Sequence, residues 1–393
     1  MTITLREFLE MRTYTRDQVD RFLNPDRPNW ADFDPELGYK LRHHNVIKDG
    51  VDGSRTILNL QPTGERKMIN FAGEPCRINT YGDSFTQCCQ TSDGETWQEI
   101  LAAHLGEPVR NFGVGGYGVY QAYRRMLREE VTAQRAEYVI LNIYGIDDHL
   151  RSLDAWRYLR VFDWFQRPAH VNMFHANPWA YVRINPETGA LVEYGNPYPT
   201  PESLYKLCDK DHVYETFKDD LIAQMFAAQT GVADVDFSGM KRLAETLQVG
   251  VDFTTPRRRR ESAKALHIAC GLRASMFILK KAQDFCERNG KKLLILLSYD
   301  PRCVVEACRG KPRSDQSFVD YLRKNRIRFV DTLTKHLEDF KAFKISPQEY
   351  VARYYIGHYS PRGNHFFAFA IKDAIVDWLD PKPLAYREGS ETL

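Results

Sequence analysis

Apolar runs alternate with helix-like stretches in the first part of the chain. A short apolar strand runs into Gly82-Asp83-Ser84, and Pro108–Phe112 follows a predicted helix at Thr96–Leu105 as a second strand. After a further helix at Val119–Gln134, Tyr138–Tyr144 is a continuous apolar run, typical of a parallel strand that helices cover on both faces. The pattern predicts consecutive βαβ units and therefore a parallel α/β sheet.

The alternation stops between about His149 and Arg260 and then resumes. The resumed elements are a helix at Glu261–Asn289, a strand at Lys292–Tyr299, a helix at Ser317–Asn325 and a strand at Ile327–Asp331. A large insertion therefore follows the third core strand. Because it leaves the sheet at the carboxyl end of a strand, where open α/β sheets hold their ligands, we expect it to pack there and contribute side chains to the site.

Three regions follow from this pattern. Residues 1–75 are polar and rich in turn signals, with a short alternating stretch at Thr56–Leu60, and are predicted to form an N-terminal annex with short β elements. Residues 76–148 and 261–393 form the predicted core. The insertion at residues 149–260 opens with many aromatic residues, which predict a small core of its own and make it a candidate lid.

Charge and composition narrow the classes of partner. Fifty-four Lys and Arg against 52 Asp and Glu leave a net charge of +2, so no overall field favours nucleic acid or an anionic membrane. No segment reaches the roughly 20 apolar residues of a membrane span. The eight cysteines have no CxxC spacing, which indicates reduced thiols, neither disulfides nor a metal site. We expect a cytoplasmic protein that binds no nucleic acid, and the oligomeric state stays open.

Ser84 has the sequence context of a nucleophile. It ends a tight Gly-Asp-Ser turn at the top of the first predicted sheet strand and directly precedes a helix. Helix N-terminal N–H groups at such a position stabilise developing negative charge. The tripeptide also occurs in ordinary turns, so partners elsewhere in the chain must support a catalytic role.

Four blocks in the same order resemble the SGNH (GDSL-type) hydrolases. Tyr81-Gly-Asp-Ser-Phe85 is similar to the first block of that family and Asn111-Phe-Gly-Val-Gly-Gly116 to the second, glycine-bearing block. Tyr144-Gly-Ile-Asp-Asp148 lies where the family has Gly-x-Asn-Asp. Gly357-His358-Tyr-Ser-Pro-Arg-Gly363 resembles the final histidine block. The blocks cover the predicted core and leave the annex and the insertion unexplained.

The resemblance implies a flavodoxin-like, doubly wound parallel sheet and a serine esterase without a cofactor. Ser84 would attack an acyl ester of a small molecule or carbohydrate, such as an acetyl ester, and His358 would take its proton. The oxyanion hole would consist of the Ser84 and Gly116 amides and the side chain at position 147.

Two positions depart from the family pattern. Asp147 stands where the family has an asparagine that donates to the oxyanion, and a carboxylate would repel that charge. The family's Asp-x-x-His reads Tyr355-Ile-Gly-His358 here, so His358 lacks the usual acid. A backbone carbonyl or Tyr355 could orient the ring, or Asp331 or Glu349 could supply a carboxylate from elsewhere.

Three other functions stay open. These departures allow an acyltransferase or a non-catalytic carbohydrate- or lipid-binding protein on the same fold. Gly113-Val-Gly-Gly-Tyr-Gly118 also fits the G-x-G-x-x-G pattern of NAD-binding oxidoreductases. That fingerprint is incomplete, because an acidic residue should close the following strand about 20 positions on, whereas Asp147 lies 29 positions beyond Gly118.

Overall fold

A computed structural model describes residues 3–27, 29–42, 44–167, 170 and 174–387. Its strands are β1 (Ala31–Asp34), β2 (Gly38–Leu41), β3 (His44–Lys48), β4 (Arg55–Asn59), β5 (Ile78–Tyr81), β6 (Arg110–Asn111), β7 (Tyr138–Tyr144), β8 (Tyr181–Ile184), β9 (Leu191–Tyr194), β10 (Lys292–Ser298) and β11 (Phe329–Asp331). Its α-helices are α1 (Leu5–Glu10), α2 (Arg16–Leu23), α3 (Ser84–Gln87), α4 (Trp97–Leu105), α5 (Val119–Glu129), α6 (Gly145–Arg151), α7 (Tyr158–Phe165), α8 (Lys210–Phe217), α9 (Leu221–Thr230), α10 (Ser238–Leu247), α11 (Pro256–Arg288), α12 (Pro301–Cys308), α13 (Gln316–Lys324), α14 (Thr332–Phe340), α15 (Pro347–Ala352) and α16 (Pro361–Trp378).

The chain divides into two compact units. The first unit comprises residues 1–42 and 149–277, and the second comprises residues 43–148 and 278–393. The region predicted as one annex, residues 1–75, is therefore divided between the two units at residue 42.

The second unit is an α/β structure around a five-stranded parallel sheet. Its strands run side by side in the order β11-β10-β7-β5-β6, and every neighbouring pair is parallel. The predicted parallel α/β sheet is thus confirmed. Residues 138–143 of the central strand β7 are buried, as the continuous apolar run predicts.

The order of the strands changes direction between β5 and β7. From β5 the chain crosses to β6 at one edge, and then returns past β5 to β7 and on toward the other edge. Because such crossovers are right-handed, this reversal brings α4 and α5 to opposite faces of the sheet. Ligands of open α/β sheets bind at this switch point, here beyond the ends of β5 and β7.

Several boundaries differ from the predicted ones for physical reasons. The edge strand β6 has two residues instead of the predicted five, since Pro108 cannot donate to a strand ladder. Helix α11 begins at Pro256, before the predicted start at Glu261, because proline suits the first turn of a helix.

The first unit joins the start of the chain to the insertion. Helix α1 packs against α8 and α9, and the Tyr14 N–H donates to the Leu207 carbonyl at 2.9 Å. The rings of Tyr14, Trp156 and Tyr158 lie within 5.6 Å of one another, and Trp179 is fully buried. Most of the insertion's early aromatic residues therefore belong to a core shared with the start of the chain, where the sequence predicts a core of the insertion's own.

Candidate active site

Ser84 is the first residue of α3, immediately after the turn that ends β5. Asp83 caps this helix: Asp83 Oδ1 accepts the Phe85 N–H at 2.8 Å, and Asp83 Oδ2 accepts the Ser84 hydroxyl at 3.3 Å. Asp83 is buried and Ser84 is half-buried. The hydroxyl thus lies beside the first helical N–H groups, which have no acceptor within the helix.

Gly82 permits this turn because no side chain fits there. Its φ is +157°, and a Cβ would lie 2.1 Å from Thr86 Oγ1 and 2.6 Å from the Asn142 carbonyl. Asn142 lies on the central strand β7, and its Nδ2 donates to Thr86 Oγ1 at 3.1 Å. The close approach holds α3, and with it Ser84, directly over the end of the neighbouring strand.

The loop after β6 carries the glycines of the second block, and most of its N–H groups already have acceptors. The donors are Gly113 to Asn111 Oδ1 (2.9 Å), Val114 to the Gly82 carbonyl (3.0 Å), Gly115 to Gln87 Oε1 (2.6 Å), Tyr117 to the Val114 carbonyl (3.1 Å) and Gly118 to Gln121 Oε1 (3.1 Å). Gly116 is the exception, since its N–H meets no acceptor among the described residues. The Ser84 N–H likewise meets none there.

His358 lies in the loop before α16, with its ring held by Gln90. Gln90 Oε1 is 2.7 Å from the His358 backbone nitrogen, whose N–H it accepts, and 3.0 Å from His358 Nδ1. The Phe85 ring centroid is 5.0 Å from that of His358 and 3.6 Å from that of Tyr144. The rings of His358 and Tyr144 thus both pack against the residue that directly follows Ser84.

The Ser84 hydroxyl is not hydrogen-bonded to His358 in this structure; its bond runs to Asp83. Catalytic hydrogen bonds are often long or misaligned before substrate binds.

Asp147 lies in the first turn of α6, which begins directly where β7 ends. It is half-buried. The buried neighbour Asp148 accepts the Tyr144 N–H at 2.9 Å and so closes the strand-to-helix junction. Of the two consecutive acids, Asp148 therefore carries this structural bond, and Asp147 is the one that the sequence predicts at the oxyanion hole.

Tyr355 belongs to a buried network behind the site. Its hydroxyl donates to the Tyr299 carbonyl at 2.9 Å and lies 3.1 Å from His336 Nε2. Burial raises the pKa of the Tyr355 hydroxyl well above its ordinary value, so the phenol stays protonated. The Tyr355 hydroxyl thus contacts His336, and it makes no described hydrogen bond to the His358 ring that it was expected to orient.

The two carboxylates considered as substitutes have other partners. Asp331 accepts the Leu333 N–H at the start of α14 and forms an ion pair with Arg313. Glu349 is exposed and forms a capping box with Ser346, whose hydroxyl donates to it at 2.7 Å. Neither carboxylate is hydrogen-bonded to the His358 ring among the described contacts.

Cys88 lies close to Ser84 in sequence but is not a competing nucleophile. It is buried, and burial raises the pKa of its thiol to about 12. Since the thiolate is the reactive form, Cys88 is inert near neutral pH.

The described part of the chain contains no cluster of three or more His, Cys, Asp or Glu side chains arranged to hold a metal ion. No described helix has both the length and the apolar character needed to cross a membrane.

The structure thus gathers Ser84, Gly116, Asp147 and His358 at the carboxyl end of the sheet and keeps Tyr355, Asp331 and Glu349 in other interactions. No sequence motif points to Gln90. Its only local signal is its position six residues after Ser84, because its partner His358 is 268 positions away.

No family model matches the chain, and no curated protein matches it.

Proposed function

We propose that this chain is a serine hydrolase of the SGNH type that acts on O-acyl esters. The observation that carries the proposal is the pair of backbone N–H groups, from Ser84 and Gly116, that meet no described acceptor at the ends of β5 and β6. The Ser84 N–H is a helix N-terminal donor and the Gly116 N–H is a buried loop donor of the kind that normally has a partner, so the two together suit an oxyanion hole.

The fold supports the same proposal. Numbered in chain order within the sheet, the strands lie 2-1-3-4-5, the order of flavodoxin-like folds. The first three blocks follow strands β5, β6 and β7, and the fourth precedes the last long helix, α16. The first three blocks that resemble the family thus lie together at the carboxyl ends of neighbouring strands.

In the proposed reaction Ser84 Oγ attacks the ester carbonyl carbon while the His358 imidazole takes the hydroxyl proton. The carbonyl oxygen becomes an oxyanion that accepts from the Ser84 and Gly116 N–H groups. Collapse breaks the bond to the leaving alkoxide, which receives the proton from His358 and departs as the alcohol. Water, activated by the same imidazole, then releases the acid from the acyl-Ser84 ester.

The dinucleotide alternative is less consistent with the loop after β6. Pyrophosphate binding in the Rossmann fingerprint requires close approach of a glycine-rich backbone and a helix N-terminus. In the loop at residues 113–118, five of the six N–H groups are already used within the unit. A single available N–H suits one oxyanion better than a pyrophosphate.

Within esters, we propose a small acyl group such as acetyl on a sugar or metabolite as the substrate class. Turnover of p-nitrophenyl esters of increasing chain length, alongside acetylated sugars, tests this proposal, with the Ser84→Ala protein as the blank. We expect the shortest ester to react fastest. A preference for long chains would overturn the choice of small acyl groups.

Covalent labelling tests the nucleophile directly. A fluorophosphonate should modify Ser84, as shown by intact mass and peptide mapping, and Ser84→Ala should abolish the adduct. Ser317→Ala, at an exposed serine of α13, is the matched control and should label normally. Folded wild-type protein that stays unmodified at Ser84 under excess reagent would contradict the proposal.

A further inference from the structure

The side-chain amide of Gln90 has an orientation fixed by two different backbone partners. Gln90 Nε2 lies 2.9 Å from the Asp49 carbonyl, an acceptor, and Gln90 Oε1 lies 2.7 Å from the His358 backbone N–H, a donor. Exchanging the oxygen and nitrogen would set two acceptors against each other at Asp49 and two donors at His358. The oxygen therefore faces His358.

This orientation determines which ring nitrogen of His358 carries the proton. Gln90 Oε1 can only accept, so His358 Nδ1, 3.0 Å away, must be the donor. In the neutral ring the lone pair then resides on Nε2. This is the tautomer in which imidazole removes a proton from serine in the Ser-His-Asp template, where the aspartate accepts from Nδ1–H.

We infer that Gln90 is the positioning residue that replaces the missing aspartate, holding His358 as the Nδ1–H tautomer with Nε2 as the base. The inference rests on the proposed function for its catalytic meaning. The tautomer itself is a property of the protein whether or not it hydrolyses esters.

The loop that carries Gln90 is held by a buried arginine. Arg66 donates to the carbonyls of Gln87 at 2.6 Å, Cys88 at 2.9 Å and Thr91 at 2.5 Å. Arg66 also pairs with Asp93 at 3.0 Å, and the exposed fractions of the two side chains are 2% and 7%. Three carbonyls within five residues thus share one cation, which fixes the backbone on both sides of Gln90.

The histidine loop is shaped to receive the amide. Gly357 has a φ of +117°, and a Cβ there would lie 2.7 Å from Gln90 Oε1. Any side chain at position 357 would displace the oxygen that His358 contacts. The absence of a side chain at Gly357 therefore leaves the space that the Gln90 amide oxygen occupies beside His358.

A neutral amide and a carboxylate differ in one respect. Both can accept from Nδ1–H and select the tautomer, but the amide supplies no negative charge to stabilise the imidazolium that forms in the transition state. Replacing the aspartate of a serine-protease triad by asparagine lowers turnover by about 10⁴, largely through the wrong tautomer. Because Gln90 selects the productive tautomer, this part of the loss is avoided here.

The decisive measurement is the tautomer of His358 in ¹⁵N-histidine-labelled protein, by ¹H–¹⁵N correlation spectra at a pH where the ring is neutral. The His358 signals are assigned by their loss in His358→Asn. We expect a protonated Nδ1 and an unprotonated Nε2 in the wild type, and a shift toward the Nε2–H tautomer in Gln90→Met. A wild-type ring protonated at Nε2, or an unchanged ring in folded Gln90→Met, would overturn the inference.

Gln248→Met is the matched control. Gln248 is likewise a glutamine, but it is exposed at the end of α10 in the other unit and has a left-handed backbone, with φ of +57°. Its substitution should leave the His358 spectrum unchanged. A spectral change of equal size in this control would attribute the effect of Gln90→Met to general perturbation and overturn the inference.

Ester turnover supplies a second readout. Gln90→Met should lower kcat/KM by about 10²-fold or more, within the range attributed to general base catalysis. Gln90→Glu should recover activity relative to Gln90→Met and raise the pH of half-maximal kcat/KM, because a carboxylate favours the imidazolium. Failure of Gln90→Glu to exceed Gln90→Met would contradict the positioning role. If wild-type protein hydrolyses no ester but has the expected tautomer, the proposed function and the catalytic role of Gln90 fail, and only its selection of the tautomer stands.

Discussion

At the scale of single residues, the site combines groups that suit ester hydrolysis with one that opposes it. In the proposed reaction the N–H groups of Ser84 and Gly116 would favour the oxyanion, whereas a carboxylate at position 147 would disfavour it. A single side-chain donor in an oxyanion hole is worth about 10²–10³ in rate. The acid at position 147 therefore predicts slow turnover of simple esters.

Replacing Asp147 by asparagine tests this balance. Asp147→Asn exchanges a repelling carboxylate for an amide that can donate to the oxyanion, so we expect kcat on p-nitrophenyl acetate to rise by about tenfold or more. Steady-state kinetics on the short-chain ester measure the effect. Asp320→Asn, at an exposed acid on α13, should leave the rate unchanged. A fall in the rate of Asp147→Asn would mean that the carboxylate itself takes part in the reaction.

Tyr355 provides a contrasting prediction, because its hydroxyl serves the buried network. Tyr355→Phe removes the donor to the Tyr299 carbonyl and the contact with His336. Leaving a buried polar group without its partner costs about 1–3 kcal/mol, so the free energy of unfolding should fall by that amount in urea denaturation. Ester turnover should change less than twofold. A large loss of activity with unchanged stability would restore Tyr355 as an orienting group.

At the scale of elements, the loop that carries Gln90 is held in place by the charged side chain of Arg66, which no local sequence pattern predicts. Arg66 lies before β5 in the chain, but it donates to carbonyls on both sides of Gln90 and pairs with Asp93. A buried guanidinium with this many acceptors fixes a loop more firmly than an exposed ion pair could.

Arg66→Met should therefore destabilise the fold and disturb the site together. Removing one partner of a buried ion pair costs about 3–5 kcal/mol, which denaturant unfolding measures. Under conditions where the variant is folded, the His358 tautomer should become mixed because Gln90 is no longer held. Arg257→Met, in an exposed pair with Glu261, should have no measurable effect. An Arg66→Met protein as stable as the wild type would refute the anchoring role.

The sequence predicts the sheet well where strands are buried on both faces. The central strand β7 has the predicted bounds, because a continuous apolar run records burial directly. Helix α6 was not predicted, since it begins at Gly145 with no linker after β7 and opens with two acids. Gln90 was missed for a different reason: a hydrogen bond across 268 positions leaves no periodic signal.

At the scale of the whole molecule, distant segments complete each unit. The Leu5 N–H donates to Asp234 Oδ1 at 2.6 Å, and the Ala180 N–H donates to the Glu36 carbonyl at 2.8 Å, all within the first unit. Local patterns predict the annex, residues 1–75, and the insertion as separate regions. They do not reveal that the first part of the annex, residues 1–42, shares a core with the insertion, because that depends on contacts formed only after folding.

The stability of the whole chain should depend on a buried histidine outside the proposed catalytic pair. His336 lies between the hydroxyls of Tyr350 and Tyr355, each 3.1 Å from a ring nitrogen, and its ring stacks on Phe366 at 4.3 Å. Burial lowers the pKa of His336 to about 3, compared with about 6.5 for an unfolded histidine. The folded state therefore excludes a proton that the unfolded state accepts below about pH 6.5.

This difference sets the sign of the pH dependence. The contribution of His336 is fully present above the unfolded pKa and is lost as the pH falls toward the folded pKa, by about 1.4 kcal/mol per pH unit. Urea denaturation from pH 7 to pH 4.5 should show a steeper loss of unfolding free energy in the wild type than in His336→Gln. His104→Gln, on the exposed part of α4, controls for the substitution itself. Parallel curves for the wild type and His336→Gln would show that His336 takes up its proton equally in both states.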